Sequence, residues 1–335
     1  MCSFVNQEIM YCVTENILCF TPEGPKSYKN LKPEDSVYSL NLKTGKIEED
    51  KILKLGFYKY KGKLYNFNSC ILNFQITPDH KTVFLIPSRA NKNRYFLATA
   101  ENVFRLRKTS KEKFIIPLTG EIEKEEPVIS EEEIRLFAWI LASEPRYLTE
   151  NSISICFCDE SSFARVFYLA DKAGIYALKS QTTPVQTCPV HSTAKYILIL
   201  TGELLAKQHE YIISKKIPEK IIKYGNKYTF KTFIKEYLLA LSCLYGFNER
   251  KILEKNEKFI DHFQLLCTLS GIATRKIQRD GFYSLEFYEK PFATISNVKE
   301  IEYQGIVWCP ETINKTFIAY KDGTPFIIGT KQIKR

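Results

Sequence analysis

The chain has 335 residues, of which 44% are hydrophobic and 26% are charged. This composition excludes a disordered chain, because the apolar side chains suffice for one or two packed cores, and the length favours two domains. Lys and Arg outnumber Asp and Glu by 48 to 38, which gives a formal net charge of +10. A positive excess of this size suits a polyanionic partner such as nucleic acid.

Cysteine usage and hydropathy indicate the compartment. The cysteines lie scattered along the chain without a Cys-x-x-Cys pair, so we expect them to be reduced rather than disulfide-bonded. The start of the chain lacks a basic stretch followed by an apolar run, which argues against a signal peptide there. No stretch of about 18 apolar residues is present to span a membrane. We therefore predict an intracellular protein, cytoplasmic or nuclear, with no membrane partner.

Residues 12–118 predict an all-β unit. Short apolar runs rich in β-branched and aromatic residues, such as 17–20, 37–40 and 82–86, are separated by polar turns. Many short strands of this kind favour a compact, curled sheet structure. Residues 119–133 differ in character, since they are rich in Glu and contain both Gly and Pro. This stretch predicts a solvated linker.

Residues 134–291 predict an α/β domain built from two pseudo-repeats, 134–205 and 228–290. Each repeat begins with an amphipathic helix and continues with a second helix and further strands. Gly174 and Gly271 stand at the ends of the second helices, where a left-handed residue commonly terminates a helix. The domain is therefore predicted to be a duplicated helix–strand unit.

Short strands resume over residues 292–330, so we predict an α+β protein in which the α/β domain interrupts an all-β domain. Three segments of the β domain contain residues capable of acyl chemistry. Cys12 opens a strand, Thr77 and His80 bracket a tight turn, and Cys309 ends an apolar segment. Taken one at a time, a buried strand cysteine and a surface histidine are the commoner interpretations.

Taken together, these segments resemble the splicing motifs of inteins, which are protein-splicing elements with a Hint domain. The motifs occur in the family's order, and the resemblance covers residues 11–118 and 298–330. It implies a horseshoe-shaped all-β fold that brings the two ends of the chain together. Residues 1–11 and 331–335 would then be flanking segments of a host protein. The resemblance also implies no cofactor for splicing and no small-molecule substrate.

The resemblance to inteins implies a role for each motif residue. Cys12 would attack the carbonyl of Tyr11 and convert the peptide bond to a thioester, which is an N-to-S acyl shift. His80 would protonate the leaving nitrogen, and Thr77 would hydrogen-bond or strain the same peptide. Cys309 stands where the family has Asp or Cys, and it would tune the thiol and couple the two ends.

The pattern departs from the family at its C-terminal end. Inteins end in an Asn whose side-chain amide cyclises on its own carbonyl, whereas Thr330 replaces the Asn in this chain. Threonine has no amide nitrogen, and the amide of Gln332 is followed by Ile333, which has no nucleophile. We therefore predict that complete splicing fails, either because the element has decayed or because it was engineered to trap a precursor.

The interrupting domain resembles a homing endonuclease of the LAGLIDADG class, the usual passenger of inteins. In that class two helices pack together, and each delivers an acidic residue that holds divalent metal ions against DNA. Glu144 is predicted to occupy the first acidic position as a metal ligand, with a solvated helix end as the alternative. Tyr245 replaces Asp or Glu at the second position. Mg²⁺ is therefore expected only if this site is active, with double-stranded DNA as the implied partner.

Three hypotheses remain open on the sequence alone. The leading one is a degenerate intein that cleaves at most its N-terminal junction and carries an inactive endonuclease. The second is a fold adopted as a non-catalytic DNA-binding or assembly protein, with residues 215–223 and 275–279 as basic runs or plain solvated faces. The third is an ordinary intein disabled deliberately. The predicted splicing site lacks its Asn, and the predicted endonuclease site lacks one acidic residue. Two separate losses favour decay or reuse over engineering.

Overall fold

The chain divides into two compact units in the computed structural model. The first unit consists of residues 1–123 and 267–335, and the second consists of residues 124–266. The second unit is therefore inserted in the sequence of the first. The structure describes residues 11–86, 94–109, 113–124, 129–180, 195–246 and 251–330. Almost all of the predicted host-protein flanks, residues 1–10 and 331–335, lies outside the described residues.

Strands and helices both contribute, so the chain is an α+β protein. The strands are β1 (Val13–Thr14), β2 (Leu18–Thr21), β3 (Gly24–Lys26), β4 (Ser36–Asn41), β5 (Lys46–Lys51), β6 (Lys54–Asn68), β7 (Asn73–Ile76), β8 (Lys81–Ile86), β9 (Arg94–Thr99), β10 (Ile115–Pro117), β11 (Arg146–Thr149), β12 (Ser152–Phe157), β13 (Tyr176–Lys179), β14 (Tyr196–Thr201), β15 (Lys251–Glu254), β16 (Ala273–Arg279), β17 (Phe282–Tyr288), β18 (Phe292–Thr294), β19 (Asn297–Glu311), β20 (Thr316–Lys321) and β21 (Thr324–Gly329). The helices are α1 (Ala100–Thr109), α2 (Glu131–Ala142), α3 (Glu160–Lys172), α4 (Glu203–Ile213), α5 (Glu219–Tyr224), α6 (Lys227–Tyr245) and α7 (Glu257–Leu269), with a 3-10 turn at Tyr28–Asn30. Within the described ranges, no helix has the length and hydropathy needed to cross a membrane.

The first unit is organised around a closed arrangement of four strands in the order β1-β19-β6-β7. The long strands β6 and β19 pair antiparallel along their whole length. The short strand β1 lies between β19 and β7, with Val13 opposite Trp308 on one side and opposite Ile76 on the other. The register therefore places the residue before Val13 beside the ends of both neighbouring strands.

Buried aromatic side chains hold these strands together. Phe74 of β7 stacks on Phe67 of β6 at 5.1 Å and contacts Phe326 of β21 at 4.8 Å between ring centroids. Trp308 is fully buried, and its Nε1 donates a hydrogen bond to the carbonyl of Ile17 at 3.1 Å. Because the indole N–H is satisfied inside the core, burial of this large ring stabilises the unit without an unpaired donor.

The boundaries of the inserted unit differ from those predicted. Its C-terminal limit is residue 266 rather than 291, because β16 and β17 belong to the first unit. The backbone N–H of Lys276 in β16 donates to the carbonyl of Gly323 at 2.9 Å. The predicted linker also begins later than expected. Ile122 is buried, and the N–H of Ile47 bonds the carbonyl of Glu121, so this stretch packs in the first unit.

The second unit contains a four-stranded antiparallel sheet in the order β11-β12-β14-β13, and its helices α2 and α6 pack together. The buried carboxylate of Glu236 on α6 accepts hydrogen bonds from Trp139 at 2.7 Å, from Arg165 at 2.5 and 2.8 Å, and from Arg135 at 3.1 Å. Burial raises the pKa of Glu236, but these donors more than offset it and lower the pKa overall. The carboxylate therefore links α2, α3 and α6 in its ionised form.

We predict that Gly323→Ala destabilises the first unit more than Gly281→Ala does. Both glycines have positive φ, +82° and +78°, so each substitution carries a backbone cost of about 1 kcal/mol. A Cβ at Gly281 meets open space, whereas a Cβ at Gly323 collides with the carbonyl of Lys276. We expect at least about 2 kcal/mol of additional loss for Gly323→Ala in urea denaturation. Equal losses in the two variants would contradict the packing described for β16.

Candidate acyl-shift site

Cys12 lies immediately before β1, and the strand register brings it beside Cys309. Val13 pairs with Trp308, so the preceding residue on β1 faces the following residue on β19. The two Sγ atoms are 3.4 Å apart, and both cysteines are buried. The side chains of Tyr58, Tyr60 and Tyr303 pack against this pair. The thiols therefore share one enclosed site despite a separation of 297 residues in sequence.

Thr77 holds the backbone of Cys12 on both sides. The N–H of Cys12 donates to Thr77 Oγ1 at 2.9 Å, and the same hydroxyl donates to the Cys12 carbonyl at 3.2 Å. The N–H of Thr77 bonds that carbonyl as well, at 3.0 Å. Pro78 restricts the residue before it to extended backbone, and a β-branched side chain has few rotamers. The sequence Thr77-Pro78 therefore fixes the hydroxyl that orients Cys12.

His80 is carried to the same site by the turn that follows Thr77. Its N–H closes the turn on the carbonyl of Thr77 at 3.0 Å, and its side chain is completely buried. The imidazole lies near the backbone carbonyls of Tyr11 and Gly329. Within the described residues, neither ring nitrogen makes a hydrogen bond of ordinary geometry. His80 therefore lies next to the carbonyl that precedes Cys12 and next to one near the C-terminal end of the first unit.

The surroundings of His80 determine its protonation state. Burial lowers its pKa from 6.5 to about 4, although the carbonyls of Tyr11 and Gly329 act in the opposite direction. The ring is therefore neutral at neutral pH, and a neutral imidazole has one N–H donor and one acceptor nitrogen. It can donate to one of the two carbonyls at a time. An imidazolium at this position therefore forms only when the ring accepts a proton from a neighbouring group.

Thr330 directly follows β21 and is almost completely buried. Its N–H donates to the carbonyl of Lys315 at 2.9 Å. The carbonyl near His80 belongs to Gly329, the residue before it. Sequence reasoning missed Gly329, although its order in the chain offered a signal. Gly329 precedes a hydroxyl residue at the end of a strand, as Tyr11 precedes the thiol of Cys12.

The structure corrects the predicted position of Glu144 at the end of α2. That helix ends at Ala142, Ser143 is its C-cap, and Glu144 has a left-handed backbone with φ of +47°. In α6 the last helical residue is Tyr245, and Gly246 takes the left-handed position. Glu144 therefore lies one residue beyond the C-cap of α2, whereas Tyr245 is the last helical residue of α6, directly before its C-cap Gly246.

A lysine lies between the carboxylates that remain near these helix ends. Lys215 Nζ is 2.5 Å from Glu254 and 3.5 Å from Glu144. An ammonium in this position neutralises the carboxylates and occupies the space a divalent cation needs. The described residues contain no group of three or more His, Cys, Asp or Glu side chains arranged to hold a metal ion. The donor set at these helix ends therefore does not fit Mg²⁺.

The predicted basic run 215–223 is largely paired with acidic side chains. Besides Lys215, Lys216 contacts Glu210 at 3.7 Å and Lys220 contacts Glu133. By the strand register, the outer face of the four-stranded sheet holds the positions of Arg146, Thr149, Ser152, Ser154, Cys156, Tyr176, Leu178, Ile197, Ile199 and Thr201. The ion pairs of Lys215, Lys216 and Lys220 reduce the positive charge that the run 215–223 offers to phosphates.

Comparisons with known proteins give similarities of low degree. No family model and no curated protein matches the chain. A splice-inactive variant of the AceL NrdHF class 3 split intein has 8% identity and a TM-score of 0.32, over 96% of this chain and 100% of that chain. The homing endonuclease I-DmoI in complex with DNA and Mn has 14% identity and a TM-score of 0.32, over 46% of this chain and 90% of that chain. Similarity of this degree does not assign the chain to a family.

We predict that His80 makes the stability of the chain dependent on pH. The folded state disfavours the imidazolium, so the unfolded state binds the proton first as the pH falls below about 6.5. The contribution of neutral His80 to the free energy of unfolding is therefore complete above about pH 6.5 and is lost as the pH falls toward 4. Between about pH 7.5 and about pH 5 the parent should lose about 2 kcal/mol more than His80→Gln in urea denaturation. Parallel pH profiles would contradict a buried neutral imidazole.

We predict that millimolar Mg²⁺ or Mn²⁺ leaves the thermal stability of the chain unchanged. The ammonium of Lys215 already neutralises Glu254 and Glu144, so a divalent cation gains no free carboxylate pair. Thermal unfolding with and without metal measures the effect, with Ca²⁺ as the control for ionic strength. A rise in Tm specific to Mg²⁺ or Mn²⁺ would show that a metal site exists in the folded chain.

Proposed function

We propose that this chain is an intein-like element that performs an N-to-S acyl shift at the Tyr11–Cys12 bond without completing splicing. The observation that carries the proposal is the double hydrogen bond between the Thr77 hydroxyl and the backbone of Cys12. A threonine that binds both the N–H and the carbonyl of one buried cysteine fixes the peptide plane before it. The thiol then has a defined approach to the preceding carbonyl.

The reaction uses His80 twice. The neutral imidazole takes the proton of the Cys12 thiol, and Sγ attacks the carbonyl carbon of Tyr11. The resulting oxyanion favours the imidazolium, which gives the proton to the Cys12 nitrogen as the C–N bond breaks. The products of the step are a thioester between Tyr11 and Cys12 Sγ and a free amine on Cys12. The low pKa of buried His80 suits a residue that holds a proton only during the reaction.

Cys309 is assigned a supporting role in this proposal. Its Sγ lies 3.4 Å from the Cys12 Sγ, and it comes from the C-terminal part of the first unit. A neighbouring thiol is a weak donor and acceptor that orients the nucleophile without adding charge. The same contact ties the N-terminal strand to β19. Cys309 therefore acts on Cys12 and not on the Tyr11 carbonyl.

Splicing stops after the N-terminal step because the C-terminal junction lacks a carboxamide. Thr330 has a hydroxyl in place of the Asn amide nitrogen that forms a cyclic imide in inteins. The inserted unit is proposed to be a degenerate endonuclease-like scaffold without metal-dependent cleavage. Ser143 and Tyr245 at its helix ends and Lys215 between its carboxylates support this view. Double-stranded DNA is the partner that this ancestry implies. The test is whether the chain retains duplex DNA and whether that retention decreases as the salt concentration rises.

There are two alternatives to this function. In the first, the fold serves as a non-catalytic assembly or DNA-binding protein. In the second, the chain is an intein that was inactivated deliberately. The ion pairs of Lys215, Lys216 and Lys220 give DNA binding through residues 215–223 little support. The intact contacts of Cys12 support the acyl-shift proposal more directly. An intact junction that never cleaves would favour the non-catalytic alternatives.

We predict that a reporter fused before Tyr11 is released when dithiothreitol or hydroxylamine is added. Cys12→Ala should abolish release, because no thioester forms. Thr77→Val should slow release at least about tenfold, since it keeps the shape and removes a hydrogen bond worth about 1.5 kcal/mol to the reaction geometry. Release is quantified by gel electrophoresis and intact mass.

Cys70→Ala is the matched control, because Cys70 is an exposed free cysteine outside the site. Its release rate should equal that of the parent. The absence of release from the folded parent chain would overturn the proposal. Release that persists in Cys12→Ala would assign the cleavage to another residue.

A further inference from the structure

Gly329 occupies a position that has no room for a side chain. A Cβ there collides with the carbonyl oxygen of Lys81, the residue that follows His80 in sequence. β21 and β8 pack together at this point, and Gly329 is buried. The packing at this backbone position therefore accommodates only glycine. A side chain at this position would require β8 and β21 to move apart, so the residue before Thr330 is restricted to glycine.

The junctions at the two ends of the first unit have the same local order. His80 lies near the carbonyl of Tyr11, which precedes the thiol of Cys12, and near the carbonyl of Gly329, which precedes the hydroxyl of Thr330. Cys12 and Thr330 are each 1% exposed. Each junction thus combines a carbonyl near the shared His80 imidazole with a buried nucleophile on the next residue.

The peptide between Gly329 and Thr330 is held in place on both sides. The N–H of Thr330 donates to the carbonyl of Lys315 at 2.9 Å, and Gly329 pairs with Thr316 in the β20–β21 ladder. Glycine leaves its carbonyl carbon unhindered. A fixed, unhindered carbonyl followed by a hydroxyl is the arrangement required for an N-to-O acyl shift, because the hydroxyl forms a five-membered ring on attack.

We propose that the Gly329–Thr330 bond is a second self-cleavage site, with Thr330 Oγ1 as its nucleophile. The hydroxyl proton passes to His80, and Oγ1 forms a bond to the Gly329 carbonyl carbon. The carbon–nitrogen bond breaks as His80 returns the proton to the Thr330 nitrogen. The product is an ester between Gly329 and Thr330 Oγ1, with a free amine on Thr330.

Water completes the cleavage. It hydrolyses the ester to a carboxylate on Gly329 and restores the hydroxyl of Thr330, which then begins the released C-terminal segment. The step needs no oxidant, metal or cofactor. It goes beyond the acyl shift at Cys12 and depends on the same histidine, so the two reactions can be separated by their nucleophiles. In this account Thr330 is a nucleophile of its own and not only the residue that replaces Asn.

The test uses the full chain with a reporter fused after Arg335, in a Cys12→Ala background that excludes acyl transfer from the N-terminal junction. We expect fragments that end at Gly329 and begin at Thr330, identified by intact mass. Hydroxylamine should accelerate their appearance and leave a hydroxamate on Gly329. Thr330→Val should reduce cleavage at least about tenfold, because it removes the nucleophile and keeps the shape.

Thr330→Ser and Thr330→Cys separate the loss of a nucleophile from the loss of the fold. Both should retain cleavage, and Thr330→Cys should become inducible by dithiothreitol because its product is a thioester. Cleavage that persists in Thr330→Val would overturn the proposal. So would a parent chain that releases an N-terminal reporter and leaves the Gly329–Thr330 bond intact. C-terminal cleavage without N-terminal release would instead refute the acyl shift at Cys12 and support this second site.

Discussion

The hydrogen bonds between Thr77 and Cys12 are the constraint on which the geometry of the candidate site in the first unit depends. β1 has only two residues, so its own ladder is too short to fix the cysteine that precedes it. One hydroxyl that accepts from the Cys12 N–H and donates to its carbonyl supplies the missing restraint. This contact requires β7, β19 and β1 to meet, and the long β6–β19 pairing provides that meeting point.

His80 adds a second constraint, because a fully buried imidazole is stable only as the neutral form unless a charge develops beside it. Two backbone carbonyls lie near the ring, one at each end of the first unit, and only one of them can accept its single N–H at a time. The ring can therefore hydrogen-bond the carbonyl of either junction, one at a time. In the inserted unit, the Lys215 ammonium lies between Glu144 and Glu254 and neutralises these carboxylates.

Local sequence patterns predicted much of the fold and failed where tertiary packing decides. Glycines at 174, 246 and 271 do follow helices with positive φ, since left-handed backbone favours glycine locally. The order of Cys12, Thr77, His80 and Cys309 in the chain predicts a shared site, and strand pairing places Cys12 beside both Thr77 and Cys309. The sequence places Glu144 at the end of α2, and in the structure it lies beyond the C-cap in left-handed backbone. The packing of β16 against Gly323 and the lack of space for a side chain at Gly329 depend on contacts between segments that are distant in sequence. No local pattern encodes such contacts.

The central claim is that the Tyr11–Cys12 bond exists in exchange with a thioester. The most direct measurement incubates the parent chain, extended upstream of Tyr11, with free cysteine and determines the masses of the products. A thioester is captured by the added cysteine, so the account predicts an upstream fragment that ends in Tyr11 with one cysteine attached, together with a chain that begins at Cys12. A Tyr11–Cys12 bond that stays intact, or release of the upstream segment by cleavage at a different bond, would contradict it.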